Sequence, residues 1–408
     1  MSMARLSKRF PALAHVDFRW YWGGLFCYSF AMQARTVIVS WLVYELTGSA
    51  LSLGWSLATW GLAGVLFSLV GGVFSDRYGA RRVVIAFRVL SAAGLLAVAL
   101  LAATDQLAFW HLLVLSFVNG VVSAFEYPAR TALVSGIVPR QELTGGFALT
   151  YSAMNLAYII GPMSMGVVTE RAGAEWALLI TGLINLLGAL LILPVGRGVA
   201  QAPTTPVRAS FLRDALAGLR HVTQNRALAV VQLTLLIYVV LLMPYRDILA
   251  AVAADVLKTG ASGLGVLSGA MNAGALLGSV ALSLAGEIKR RGKALLAAAL
   301  FAAVGAAVFG RSEVFALSAL LLVIAGIGQG FFIPLDNTLL QTYAAPEMRA
   351  RVVGVNMFIW SLGPIGTIAI GALADRVGAG LAVTTFAAVS AALFVVAAAA
   401  MPRLRRLE

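Results

Sequence analysis

The chain is poor in charged residues, in cysteine and in histidine. Only 12% of its 408 residues are charged, whereas 61% are hydrophobic. In soluble domains about a quarter of the residues are charged, so this composition excludes an ordinary water-soluble fold. The single cysteine, Cys27, excludes an intramolecular disulfide, and we expect it to pack in the core.

The signatures of an enzyme are also missing. The histidines, His15, His111 and His221, fall in predicted loops or at the ends of predicted membrane helices, and neither an HExxH nor a GxSxG pattern occurs. No Walker A sequence or metal-ligand cluster is visible. We therefore expect no catalytic residue, no metal and no cofactor. An enzyme embedded in the membrane is a remote alternative.

Long apolar runs dominate the rest of the sequence. A bilayer core about 30 Å thick needs ~20 apolar residues per helix. Twelve such runs are centred near residues 32, 63, 94, 118, 158, 185, 238, 274, 302, 324, 363 and 390. The first run is too long for the apolar part of a signal peptide. We predict an all-α polytopic membrane protein with twelve transmembrane helices, numbered here as spans one to twelve.

The net charge of +13 is distributed by topology. If the N-terminus lies in the cytoplasm, 24 of the 30 basic residues fall in segments predicted to be cytoplasmic. Basic residues accumulate on that side of membrane proteins, so we predict an even number of spans, both termini in the cytoplasm and no nucleic-acid partner. The six exceptions are Arg35, Arg171, Arg246, Lys258, Arg311 and Arg376.

The apolar runs stop between spans six and seven, where the chain is rich in Pro and Thr and then becomes periodic. Apolar residues after Ser210, a predicted N-cap, share one helical face, which indicates an amphipathic helix on the membrane surface. We predict an N-terminal six-helix bundle (residues 1–194), a cytoplasmic linker (195–225) and a C-terminal six-helix bundle (226–408).

The two bundles are related in sequence. MQAR at 32–35 recurs as MPYR at 243–246, and TGSALSLG at 47–54 recurs as TGASGLG at 259–265. GVVTERAGA at 166–174 recurs as GALADRVGA at 371–379, and TALVSGIVP at 131–139 recurs as TLLQTYAAP at 338–346. Parallel repeats of six helices are typical of one large class of secondary transporters. The repeats predict two pseudo-symmetric bundles.

The loop after span two reads GGVFSDRYGARRVV, residues 71–84. It resembles the G-x-x-x-D-R-x-G-R-R signature of the major facilitator superfamily, although Ala80 stands where that family usually has a basic residue. The resemblance implies a gating role, because in the family this loop helps to hold the cytoplasmic side closed. The matching residues are Gly72, Asp76, Arg77, Gly79, Arg81 and Arg82.

Two acidic residues take related places in the repeat. Glu126, at the end of span four, is expected to supply a carboxylate for Arg81 or Arg82; the alternative is that the arginines, Arg88 included, are only anchors on the cytoplasmic side. Asp336 is the counterpart of Glu126 in span ten. Either acid could titrate during transport, or both could be capping carboxylates.

Span five contains NLAYIIGPMSMG, residues 155–166, which is similar to a motif of antiporters and exporters in the same superfamily. Gly161, Pro162 and Gly166 match that motif, whereas Ala157 and Met165 replace glycines. Gly161 and Pro162 are assigned to gating; the alternative is a kinked helix packed for stability. We expect NAGALLGS in span eight, residues 272–279, to offer span five a complementary surface. The sequences WLVYELTGSALSLG and PEMRARVVG resemble the branch with siderophore exporters and macrolide-type drug efflux pumps.

In the family, spans one, four, seven and ten line the central cavity, so polar residues near mid-depth are candidates for the substrate and coupling sites. An arginine there is costly, at ~3 to more than 10 kcal/mol. The arginines of spans one and seven could attract an anionic substrate, or could pair with Asp247 and Glu45 in an extracellular gate. The candidates in these spans are Gln33, Arg35, Asn119, Gln232, Tyr238, Arg246, Asp247, Gln329 and Asp336, and neighbouring spans add Asn155, Asn272, Asn356 and Trp360. The alternative for the amides is a hydrogen bond to a neighbouring helix.

The sequence thus predicts a secondary active transporter of the cell (inner or plasma) membrane. We expect proton-coupled export of a small amphipathic molecule, a drug or a siderophore, by alternating access. We expect a monomer in the lipid bilayer. An uptake symporter or a lipid flippase of the same fold is the alternative.

Overall fold

A computed structural model of the protein describes residues 11–196, 211–286 and 288–400. Every regular element in those ranges is helical, which confirms the predicted all-α class. In chain order the helices are α1 (Val16–Thr47), α2 (Ala50–Tyr78), α3 (Ala80–Ala103), α4 (Phe109–Ile137), α5 (Leu143–Ala172), α6 (Ala174–Leu190), α7 (Phe211–Gln224), α8 (Arg226–Val256, interrupted), α9 (Ala261–Leu284), α10 (Arg291–Phe309), α11 (Phe315–Tyr343), α12 (Arg349–Ser361), α13 (Gly363–Val377) and α14 (Ala379–Ala400).

Most of these helices are long and apolar enough to cross a membrane. Ten candidate spans are found in the described ranges, with α12 and α13 together forming one of them. Helix α6 is a shorter apolar helix of 17 residues, and α5 has 30 residues. The protein is therefore a multi-pass membrane protein, and the count of twelve spans stays a prediction.

The chain divides into two compact units. The N-terminal unit comprises residues 1–47 and 56–205, and the C-terminal unit comprises residues 48–55 and 206–408. Helix α7 lies in the predicted linker, but Ser210, its predicted N-cap, is outside the described residues. The first residues of α2 are counted with the C-terminal unit, whereas the rest of that helix is counted with the N-terminal unit.

In the N-terminal unit, α1 packs against α5 and α6, and α3 packs against α4 and α6. The core includes Phe18 and Tyr21 of α1 and Val84 of α3, all fully buried. Gly24 and Gly188 let α1 and α6 approach closely, because a Cβ added at Gly24 would lie 2.9 Å from the Gly188 carbonyl oxygen. Small residues permit such contacts between membrane helices.

In the C-terminal unit, α11 packs against α9 and α10. Glycines at both sides of the α9–α11 contact bring the backbones together: a side chain at Gly274 or Gly278 would meet a carbonyl oxygen of α11, and one at Gly326 or Gly330 would meet a carbonyl oxygen of α9. The glycines of NAGALLGS, Gly274 and Gly278, contact α11 of the same unit. The expected contact of this sequence with span five stays a prediction.

Candidate functional site

A buried charge cluster joins α3 and α4 in the N-terminal unit. The Arg88 side chain is 0% exposed, and its guanidinium donates to Glu126 Oε1 through Nη2 at 2.8 Å and through Nε at 3.3 Å. Its Nη1 donates to the carbonyl oxygens of Gly24, at 2.9 Å, and Gly188, at 3.2 Å. Arg130 Nε lies 3.8 Å from Glu126 Oε2. The carboxylate of Glu126, 2% exposed, therefore has two cationic partners.

This geometry corrects two expectations. Glu126 contacts Arg88 and Arg130, not Arg81 or Arg82. Arg88 is not a surface anchor, because its side chain is fully buried and its Cζ lies 4.6 Å from the centre of the Tyr28 ring. The reason is that α1 and α6 present carbonyl oxygens toward α3 at the two close-packed glycines.

The predicted gating loop is a tight turn between two helices. Gly79 has φ 92° and occupies the N-cap of α3, a conformation that favours glycine. Arg81 Nε donates to the carbonyl oxygen of Ile192 at 3.4 Å, and its Nη2 contacts that of Leu193. Arg77 and Arg82 are exposed. Gly72 and the side chain of Asp76 lie outside the part of the chain whose packing the structure describes.

Asn119 belongs to a buried polar chain across three helices. Ser91 Oγ donates to Asn119 Oδ1 at 2.8 Å, and Asn185 Nδ2 donates to Ser91 Oγ at 3.0 Å. Asn119 Nδ2 donates to the Leu115 carbonyl oxygen at 2.9 Å. Asn119 therefore ties α4 to α3 and, through Ser91, to α6. Asn185 Oδ1 is buried and has no hydrogen-bond partner among the described residues.

A small polar recess beside this chain contains Arg35. Its volume, about 10 Å³ for the centre of a water-sized sphere, suffices for about one water molecule. Among the described residues of this unit, no carboxylate lies within salt-bridge distance of Arg35. The recess is lined by Tyr28, Ala31, Met32, Arg35, Ser91, Leu95, Asn119, Ser123 and Asn185.

Gly161 of span five fixes the helix segment that precedes Arg35. A Cβ added at Gly161 would lie 2.9 Å from the carbonyl oxygen of Phe30 and 3.4 Å from the backbone nitrogen of Ala34. Pro162 follows inside α5 without ending the helix. This part of the span-five motif is thus a close contact between α5 and α1.

In the C-terminal unit, α8 is interrupted where the sequence reads MPYR. A π-helical turn covers Tyr238–Leu242 and a 3₁₀ turn covers Met243–Arg246. The repeat-related MQAR lies within the continuous helix α1. Pro244 explains the difference, because proline lacks the backbone donor and clashes with the carbonyl four residues earlier. Interrupted membrane helices often line binding sites of transporters.

Several predicted site residues lie in or next to this interruption. Arg246 Nη1 donates to Gln329 Oε1 of α11 at 3.3 Å, and Asp247 Oδ2 accepts from the Thr367 hydroxyl of α13 at 2.7 Å. Tyr238 stacks on Phe332, with ring centres 4.1 Å apart and ring planes 11° apart. Thr367, a buried residue whose hydroxyl binds the carboxylate of the interrupted helix, lies in no motif that marked it as a site residue.

Asp336 differs sharply from its repeat mate Glu126. Asp336 is 2% exposed, and its Oδ2 accepts from Asn356 Nδ2 at 3.2 Å. Its Oδ1 has no hydrogen-bond partner in the part of the chain that the structure describes. The offset that relates Glu126 to Asp336 places Ala298 at the position of Arg88 and Leu340 at that of Arg130. Among the described residues, the second acid therefore has no cationic partner in its own unit.

The burial of the remaining candidates is as follows. Gln33, Asn155, Asn272 and Trp360 are half-buried. Gln232 is buried, and within the described ranges neither its Oε1 nor its Nε2 has a hydrogen-bond partner. The structure thus brings together one cluster around Glu126 and a second around Arg246, Asp247 and Gln329.

Comparison with known proteins identifies relatives along most of the chain. A family profile described as Major Facilitator Superfamily matches residues 21–367. Macrolide efflux protein A of Streptococcus pyogenes is 24% identical over 82% of this chain and 83% of its own length. Multidrug efflux pump Tap of Mycolicibacterium fortuitum is 28% identical, over 91% and 92%. Enterobactin exporter EntS of Escherichia coli O1:K1 / APEC is 26% identical, over 86% and 82%.

Solved structures show the same fold. A peptide transporter POT mutant in complex with sulfate has a TM-score of 0.77, with 14% identity and 96% of each chain covered. A bacterial homolog of the human lysosomal transporter Spinster, inward-facing and unoccupied, has a TM-score of 0.72, with 14% identity over 96% of this chain and 98% of its own.

Proposed function

Because the chain belongs to the major facilitator superfamily, we propose that this transporter uses a proton gradient to export a small amphipathic molecule by alternating access. The three relatives named above are exporters of a macrolide, of drugs and of enterobactin, which supports export of a drug or a siderophore. The protein is a secondary transporter rather than an enzyme.

We further propose that the protein lies in the cell (inner or plasma) membrane as a monomer with both termini in the cytoplasm. The excess of basic residues in alternate loops supports this orientation. It places residues 104–108 and 310–314 on the outer face. Labelling of cysteines introduced at Gln106 and Arg311 by an impermeant maleimide on intact cells tests it; labelling only in everted vesicles contradicts it.

The observation that carries the coupling proposal is the buried carboxyl of Asp336, which has no cationic partner among the described residues of its unit. An ionised carboxylate taken out of water costs several kcal/mol unless a cation or hydrogen bonds offset the loss. One hydrogen bond from Asn356 satisfies only one of the two oxygens. A bound proton removes the charge. Asp336 is thus the group that takes up the coupling proton in one state and releases it when water reaches the site.

Glu126 does not serve this purpose. Its carboxylate is held by two arginines in a network that includes main-chain oxygens of α1 and α6. These partners offset the cost of burying its charge. The first acid is therefore a structural member of its bundle, and the second acid is the coupling residue.

We propose that Arg246 recognises electronegative groups of the substrate. Its partner Gln329 is a neutral amide, and its neighbour Asp247 is bound to Thr367, so no carboxylate within the described C-terminal unit pairs with this guanidinium. The interrupted backbone of α8 sets these groups at a position where helix ends can also contact a ligand. Arg35, next to the polar recess, has the same chemistry.

Transport by purified protein in proteoliposomes tests the function. The panel is a macrolide, a cationic dye and a catecholate siderophore, each with and without an imposed pH gradient. We expect at least one compound to accumulate against its gradient while protons move in the opposite direction. Movement of substrate and protons in the same direction would show an uptake symporter, transfer of labelled lipid alone would show a flippase, and either result contradicts the proposal.

A further inference from the structure

The signature of the gating loop occurs twice in the chain. Gly72, Asp76, Arg77 and Gly79 form G-x-x-x-D-R-x-G at the end of α2, and the same spacing recurs in GALADRVG, residues 371–378, at the end of α13. Both copies end in a glycine with positive φ, 92° at Gly79 and 90° at Gly378. In both, the next helix begins at the following residue. The two copies therefore share the backbone conformation of the final glycine and the start of the next helix, in addition to their sequence.

The carboxylate of this second copy caps a helix. Asp375 Oδ1 accepts from the backbone nitrogen of Ala50 at 2.7 Å, and its Oδ2 accepts from the hydroxyl of Ser49 at 2.6 Å and the backbone nitrogen of Leu51 at 3.4 Å. These groups form the N-terminal end of α2. A negative charge at that end is stabilised by the free N–H groups and the helix dipole.

Glycines draw the two helices together beside this cap. A Cβ added at Gly371 would lie 2.6 Å from the carbonyl oxygen of Ala50, and one added at Gly54 would lie 2.9 Å from the Cα of Ile368. The contact also reaches the interrupted helix, because the carbonyl oxygen of Thr367 lies 3.1 Å from that same added Cβ while the Thr367 hydroxyl binds Asp247.

The contact lies at the N-terminal end of α2, the helix that carries the first copy of the signature at its other end. The two copies of the signature involve opposite ends of one 29-residue helix, about 43 Å apart at 1.5 Å per residue. The capped segment 48–55 is counted with the C-terminal unit, and the continuation of the helix with the N-terminal unit. Asp375 and its bonded partners thus lie in one unit, and Asp375 holds the first turn of a helix that continues into the other unit.

We propose that Asp375 is a gating residue that holds the outer end of α2 against α13 and must release it when the outer face opens. This inference rests on the proposed alternating access. It assigns to the outer face a latch of the same sequence type as the one expected on the cytoplasmic face. Its members are the Asp375 carboxylate, the Ser49–Leu51 turn and the contacts of Gly371 and Gly54.

The test measures the opening of the outer face without substrate. Spin labels are attached to cysteines at Gln106 and Arg311, both exposed, in a Cys27→Ser background, and the distances between them are recorded in detergent and in nanodiscs. We expect Asp375→Ala to raise the ratio of long to short distances about fivefold, because loss of a capping side chain changes an equilibrium by about that factor. Asp375→Asn, which keeps an acceptor, should give a smaller shift.

Two further variants separate the latch from the general stability of the fold. Gly371→Val forces α13 away from Ala50 without touching the carboxylate and should shift the distances in the same direction. Glu313→Ala, the control, removes another exposed carboxylate of an outer loop and should leave them unchanged. If Asp375→Ala and Gly371→Val lower the thermal stability but leave the distances as in the parent, the latch is overturned and the contact is only structural.

The outcome is separable from that of the transport assays. A shift in distances in a protein that moves no substrate in the panel leaves the latch standing and removes the export proposal. Active transport with unchanged distances in both latch variants removes the latch and leaves the export proposal standing.

Discussion

The buried cluster of Arg88, Glu126 and Arg130 makes a prediction that depends on its asymmetry. Glu126→Gln leaves a fully buried guanidinium and a second arginine without a counter-charge, whereas Arg88→Met leaves Glu126 with Arg130 at 3.8 Å. Removal of one partner of a buried ion pair costs about 3–5 kcal/mol. We expect Glu126→Gln to reach that range and Arg88→Met to cost about half as much.

The double variant tests whether Arg88 and Glu126 stabilise the bundle as a pair. With Arg88 and Glu126 both replaced, the fully buried uncompensated guanidinium is gone and only Arg130 lacks a counter-charge. Arg88→Met/Glu126→Gln should therefore be less destabilised than the sum of the single variants by about 1–3 kcal/mol. Arg130, 12% exposed, can then turn toward the membrane surface.

Unfolding in increasing dodecyl sulfate, followed by tryptophan fluorescence and by thermal inactivation, measures these differences. Arg82→Met is the matched control, because Arg82 is exposed on the same helix, and it should change stability by less than about 0.5 kcal/mol. Additive single variants, or an Arg88→Met variant less stable than Glu126→Gln, would refute the assignment of Glu126 as the shared counter-charge.

Two further predictions concern transport. Arg246→Lys replaces a guanidinium that bonds Gln329 by an ammonium that cannot make a bidentate contact, so KM should rise about tenfold with little change in the folded fraction; an unchanged KM contradicts substrate recognition by this residue. Gly161→Val places a side chain against the carbonyl oxygen of Phe30, and both stability and transport should fall, while Gly145→Val, where a Cβ meets nothing within 4 Å, should be tolerated; equal losses would show that the contact is unimportant.

The helical class and the repeat could be predicted because both follow from simple periodicities of composition. The same reasoning failed where proline changed one repeat mate. MQAR and MPYR occupy corresponding places, yet only the second lies in an interrupted helix, since Pro244 cannot continue the backbone pattern.

Side-chain partners were harder to predict, because they depend on rotation of helices about their axes. Arg88 follows the arginines of the loop closely in sequence, which suggests an anchor on the cytoplasmic side. It lies two turns into α3, and its side chain is buried in the bundle. Asp375 lies in a second G-x-x-x-D-R-x-G, which is visible in the sequence. Its meaning became visible only with the bonds to Ser49, Ala50 and Leu51.

Asp336 is proposed to carry the proton that drives export, and simultaneous recording of substrate and proton flux measures this role. In proteoliposomes, the parent protein should move protons against substrate, and both fluxes should stop when the gradient is collapsed. Asp336→Asn should keep substrate exchange at equal concentrations but lose net, proton-driven accumulation, with Glu313→Gln as an active control. Proton-driven accumulation by Asp336→Asn at the rate of the parent protein would contradict the account.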